Sequence, residues 1–134
     1  MYVLDSFAVL ALLEGEAGGE EVLELLRRGE RGEVQLLMTW VNMGEVAYIV
    51  ERRRGRGGVY QMLAALEAGP VEVVEVGREL ALGAGGLKAK YAIAYADAFA
   101  AALAMREGGE VVTGDPEFEK LEGEVGVWWL PRGG

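Results

Sequence analysis

Short β-rich runs alternate along this chain with segments of helical pattern, and that alternation limits the fold more than any other feature. The strand candidates are Tyr2-Val3-Leu4, Gln35-Leu36-Leu37-Met38, Val71 to Val76, Glu110-Val111-Val112-Thr113 and Val125 to Leu130. Asp5-Ser6, good N-caps, precede a helical stretch through Leu13. Glu20 to Arg28 is amphipathic, with Val22, Leu23, Leu25 and Leu26 among charges. Thr39 caps a helix from Trp40 to Arg54, and Gly57-Gly58 separates it from another over Val59 to Ala68. Arg78 to Leu87 and Tyr91 to Met105 read as two further helices, the second mostly alanine. Pro116 suits the first position of a short helix, and Pro131-Arg132-Gly133-Gly134 reads as a frayed tail. Strands separated by helices predict an α/β three-layer fold with a largely parallel sheet. The 134 residues contain no linker or repeat, so one domain over 1–134 is expected.

Cysteine and histidine are both absent. A cysteine nucleophile, a Ser-His-Asp triad and a Cys/His zinc site are therefore impossible within this chain. The start, Met1-Tyr2-Val3-Leu4-Asp5, has neither a basic region nor a long apolar run, so no signal peptide is expected. No apolar run approaches the roughly 18 residues of a membrane span, and a cytoplasmic location is expected. The net charge of −9 has the wrong sign for a general nucleic-acid binder. Bound cations and a local basic patch would have to do the neutralising.

Short polar side chains are scarce. Of 22 acidic residues only three are Asp, and there is one Ser, one Asn and two Thr. Abundant Glu and Arg with few Asn, Gln and Cys is a thermophile tendency. The scarcity gives weight to where the survivors fall. Asp5 and Ser6 follow the first strand. Thr39 follows the second, with Asn42 and Glu45 in the first turns of the next helix, three apart and so on one face. Thr113 and Asp115 end the fourth strand. Sheets of this kind bind ligands outside the carboxyl ends of their strands. Capping alone accounts for Ser6 and Thr39 as well as a functional role does. It accounts less well for Asp5 and Asp115.

Asp97 is the one charge between Tyr91 and Met105. A helix apolar all round is a buried helix, and a buried unpaired carboxylate costs several kcal/mol. Asp97 must therefore be paired, protonated or bound to a cation. Lys88, Lys90 or an arginine are the candidate partners for a purely structural ion pair. Glu20, Glu21, Glu24, Glu117 and Glu119 read as solvated surface. Tyr91, Tyr95 and Phe99 recur every four residues, the spacing of a core or subunit contact.

Asp5, Glu45, Asp97 and Asp115 are hard oxygen ligands, which select magnesium or manganese over zinc or copper. A cation held by such a set can lower the pKa of an attacking water and stabilise a leaving oxygen in an in-line displacement. Ser6, Asn42 and Thr113 could orient ligands or waters around it. Arg52, Arg53, Arg54 and Arg56 form the only dense basic run. They read either as an RNA-backbone contact or as a C-terminal helical turn matching the helix dipole.

Tyr2-Val3-Leu4-Asp5-Ser6, Asn42 with Glu45, Tyr95-Ala96-Asp97-Ala98-Phe99 and Thr113-Gly114-Asp115-Pro116-Glu117-Phe118 together resemble the PIN domain, and most closely the VapC toxins of prokaryotic toxin–antitoxin pairs. The motifs stand in the family's order and span nearly the whole chain. The resemblance implies a three-layer α/β/α fold with a five-stranded parallel sheet in the order 3-2-1-4-5. It implies endonucleolytic cleavage of RNA with magnesium or manganese, an acidic quartet at Asp5, Glu45, Asp97 and Asp115, a homodimer, and silencing by a small antitoxin. A housekeeping RNA-processing nuclease of the same family would carry the same site. A non-enzymatic module whose carboxylates only hold a structural cation is a third reading. A phosphoaspartate phosphatase is disfavoured by Phe7, since that class places a second Asp two residues after the first. A receiver domain is disfavoured by the single Asp ending the first strand.

Overall fold

All five strand-forming runs pair in parallel, each reached from the last through a helical crossover. The computed structural model describes residues 1–131, so Arg132, Gly133 and Gly134 of the expected tail lie outside it. In chain order the elements are β1 (Tyr2–Leu4), α1 (Ser6–Leu13), α2 (Gly19–Glu30), β2 (Leu36–Thr39), α3 (Trp40–Ala68), β3 (Val71–Val74), α4 (Arg78–Lys90), α5 (Tyr95–Glu107), β4 (Glu110–Thr113), a 3-10 turn (Pro116–Leu121) and β5 (Gly126–Trp129). The sheet order is β3-β2-β1-β4-β5, as the resemblance implied. Register is set by pairs such as Tyr2 with Leu36 on one side and Tyr2 with Glu110 on the other.

Strand side chains alternate between faces, and the alternation divides the core in two. Val3, Leu37 and Val111 face α4, α5 and the 3-10 turn, packing with Leu80, Leu103 and Phe118. Leu4, Leu36, Met38 and Val112 face the other way, onto α1, α2 and α3, with Val9, Leu25 and Val46. This is the α/β/α arrangement. Among the described residues no helix is long and apolar enough to cross a membrane.

Three helix boundaries differ from expectation. The first half of the stretch 40–68 ends at Arg54 as expected, but the break that parts it from the second half is a kink at Gly55, where φ is +73°, rather than Gly57-Gly58. Only glycine takes that conformation without strain. Helix α4 runs through Gly85 and Gly86 to Lys90, because Leu80, Ala84 and Leu87 bury one face and outweigh the glycine penalty. Helix α5 starts at Tyr95, not Tyr91. The backbone just before it is engaged by side chains: Lys120 Nζ donates to Ala92 O at 2.7 Å, Lys88 Nζ to Ile93 O at 2.8 Å, and Ala94 N donates to Glu117 at 3.2 Å. Tyr91 therefore precedes the helix, and only Tyr95 and Phe99 share its face, their ring centroids 4.9 Å apart.

Candidate functional site

Because β1 and β4 are neighbours, the residues that end them come together at one edge of the sheet. Asp5 is the N-cap of α1, its Oδ1 accepting from Ala8 N at 2.8 Å. Asp115 caps the 3-10 turn in the same way, accepting from Glu117 N at 2.9 Å. Capping thus explains part of both aspartates. The Thr113 hydroxyl lies between them, accepting from Asp115 N at 3.0 Å and hydrogen bonding to the Asp5 carboxyl. Asp5 is almost wholly buried. Burial first, then the charges of Asp115 and Glu45, push its carboxyl up to about 7 against the pull of Thr113 and the Ala8 amide.

Asp97 lies in the first turn of α5, not mid-helix, where an acidic side chain suits the positive end of the helix dipole. Its Oδ2 is buried with no hydrogen-bond partner. No ion pair reaches it among the described residues; of the expected partners, Lys88 spends its ammonium on Ile93 O. The structural ion pair is therefore absent there. The neighbours of Asp97 are carboxylates: burial first, then a hydrogen bond with Glu117 and the charges of Asp115 and Asp5, push it up to about 9. Glu117 is lowered in turn, by the hydrogen bond with Asp97 and by that from the Ala94 amide.

Glu117 is the residue that sequence reasoning missed. Expected as solvated surface, it is half-buried and offers a carboxylate oxygen that lies with those of Asp97 and Asp115 within 4.8 Å of one another. The available signal was its place two residues after Asp115, inside the first turn that Asp115 caps. Glu45 is half-buried on α3 and near enough to raise Asp5, but it stands outside this trio.

The hydroxyl and amide residues form a strut. Thr39 caps α3, accepting from Asn42 N at 3.0 Å and donating to Asn42 Oδ1 at 2.6 Å. Asn42 Nδ2 donates to Ser6 Oγ at 3.3 Å and to Ala96 O at 3.1 Å, and Ser6 Oγ donates to Asn42 O at 3.3 Å. All three side chains are buried. The network ties the starts of α1, α3 and α5 together and so fixes the relative positions of Asp5, Glu45 and Asp97. Ser6 is not itself a cap; Asp5 takes that role.

Arg52, Arg53 and Arg54 form the last turn before the kink at Gly55, so the run does stand at a helix end, with Arg56 just past the kink. Arg53 and Arg54 reach Glu14 at 3.5 and 3.1 Å, Arg52 lies over the Tyr48 ring, and Arg56 is exposed. Beside the acidic edge opens a cavity of about 430 Å³ lined by Phe7, Leu10, Ala11, Arg53, Gly114 and Pro116, with Glu16 and Ala17 at the α1–α2 connection.

Two buried aspartates, Asp5 and Asp97, with raised pKa values, gathered with other carboxylates around an orphaned buried oxygen, fit a hard divalent cation, which would favour their ionised forms. Residues 2–124 match the family model described as PIN domain. No protein of curated function matches the sequence. Among solved structures, the chain is similar to the VapBC2 complex of Rickettsia felis bound to a DNA fragment from its promoter (17% identity, 97% of this chain and 98% of that one, TM-score 0.74). A toxin–antitoxin complex from Klebsiella pneumoniae gives 17% identity, 96% of each chain and a TM-score of 0.73. The sarcin-ricin loop cleaving toxin VapC20 of Mycobacterium tuberculosis gives 18%, 90% and 94%, and 0.70. At these identities the likeness is one of fold.

Proposed function

Since this chain belongs to the PIN domain family, we propose that it is a metal-dependent endoribonuclease and the toxin of a toxin–antitoxin pair. The observation that carries the reading is the partnerless buried oxygen of Asp97 facing the carboxylates of Asp115 and Glu117. A buried acid surrounded by acids is costly unless a cation completes it. Asp97, Asp115 and Glu117 hold magnesium or manganese in this reading, with Asp5 and Glu45 on the flank nearest β1 and α3. The bound ion supplies Lewis-acid stabilisation of phosphoryl oxygens and lowers the pKa of an attacking water. The chain's own contribution is orientation. The Ala8 amide and Thr113 hydroxyl hold Asp5, the Glu117 amide holds Asp115, and the Asn42 strut holds the helices that present them. Arg52, Arg53, Arg54 and Arg56 are the candidate contacts to the RNA backbone.

The toxin role draws support from the toxin–antitoxin complexes among the structural neighbours. A small antitoxin that covers the site and a homodimer are part of the proposal, as is a single functional domain. The test is cleavage of mixed single-stranded RNA with manganese, magnesium or EDTA, wild type beside Asp97→Asn. Metal-dependent cleavage that drops at least a hundredfold in the variant is expected. A folded protein that binds manganese and cuts no RNA would leave a cation-binding module in its place.

A further inference from the structure

The cavity beside the acidic edge shares its walls with the site. Gly114 and Pro116, which line it, are the immediate neighbours of Asp115, about 3.8 Å away along the backbone. Phe7 lies two residues beyond Asp5. A Cβ on Gly114 would stand 2.7 Å from Phe7 Cζ, so the absence of a side chain there lets the ring lie against the end of β4. Leu10, Ala11 and Ala17 add apolar wall, Glu16 is the one acidic residue of the lining, and Arg53, paired with Glu14 at 3.5 Å, brings a half-exposed guanidinium to the cavity. About 430 Å³ falls in the range of small-molecule pockets.

We infer that this cavity seats the base of the nucleotide next to the scissile phosphate, with Phe7 as aromatic wall and Arg53 as the polar contact at its rim. The inference rests on the nuclease reading. Net charge favours it as well: at −9 the chain gains little from phosphate attraction at long range, so a base-stacking pocket is where affinity for a single strand can come from. A phosphate held at Asp115 leaves its own base within one nucleotide of the cavity mouth. Arg53 in the pocket and the acidic trio beside it then sort the substrate by chemistry: base to the apolar cavity, phosphate to the cation. Phe7 and Arg53 are specificity-determining residues on this account and take no part in bond breaking.

Two measurements test it. The first sequences the ends left in a random single-stranded RNA pool by the wild type and by Ala17→Trp, with Arg53→Met as a second variant. Ala17 is exposed, so the indole can fill the cavity from outside without entering the core. Wild type is expected to prefer one base class beside the cut. Ala17→Trp should lose that preference and raise KM at least tenfold. The second titrates the four ribonucleoside 5′-monophosphates into metal-free protein by NMR, which needs no cleavage. Shifts confined to the Phe7, Leu10 and Gly114 signals, weakened at least tenfold in both variants, are expected. An enzyme that cleaves RNA but binds no nucleotide in the cavity, or keeps its preference in both variants, overturns the inference and leaves the cavity to a protein ligand. Nucleotide binding without any cleavage would instead remove the nuclease reading and leave the base pocket standing.

Discussion

Asp97 and Asp5 give the metal-free protein an unusual dependence on pH. Their folded pKa values, about 9 and about 7, lie above the usual carboxylate range, chiefly through burial. Between about pH 4 and those values the folded chain binds more protons than the unfolded one. The stability these protons confer is complete below about pH 4 and is lost as pH rises through 7 and then 9. Glu117, shifted down, loses its own contribution only at acid pH, outside that window. In EDTA the melting temperature is expected to fall between pH 5 and 9, and to fall less in Asp97→Asn, as followed by circular dichroism. A rise in both would contradict the burial argument. Asn42 works at the same scale but by hydrogen bonding. Asn42→Ala removes the contacts to Thr39, Ser6 and Ala96 and leaves buried partners unsatisfied. The expected loss is about 2 kcal/mol or more, measured by urea unfolding.

Among the elements, the strands were legible because apolar β-branched runs bounded by turn residues leave little choice of structure, and their order followed from the crossovers and the resemblance. The acidic residues at the ends of β1 and β4 were legible for the same reason: rare residue types at predictable junctions. Helix ends were less so. The start of α5 is decided by Lys88, Lys120 and Glu117 reaching the 92–94 backbone, which are tertiary contacts with no local signature. Glu117 was obscured for a related reason, since one more Glu in a Glu-rich chain carries no compositional signal and its partner Asp97 comes from a different element. The seam where β4 meets α1 offers a direct test of packing. Gly114→Ala would drive a methyl into the Phe7 ring and is expected to cost about 1–3 kcal/mol. Phe7→Ala in the same chain should relieve the clash, so the double variant is more stable than the two losses summed. Simple additivity in a denaturant series would show that the ring does not hold that position.

At the scale of the whole molecule, a cation that binds only the folded site adds its binding energy to stability. At a hundredfold excess over Kd this amounts to about 2.7 kcal/mol, or roughly 10 °C in Tm for a chain of this size. Manganese is expected to raise the wild-type transition by that order at pH 8, reversibly with EDTA, and to leave Asp97→Asn largely unmoved. An equal rise in both would mean that the ion binds elsewhere. The pairing of Tyr2 with Glu110 has a further consequence, one of timing. A ribosome making roughly 5 to 20 residues per second needs about 5 to 20 s to travel from one partner to the other. For that interval the first aspartate is exposed on a growing peptide with no acidic neighbours to join. The edge that gathers the carboxylates closes only when β4 emerges, so a message broken or abandoned before that codon yields a fragment in which Asp5 never meets Asp97 and Asp115.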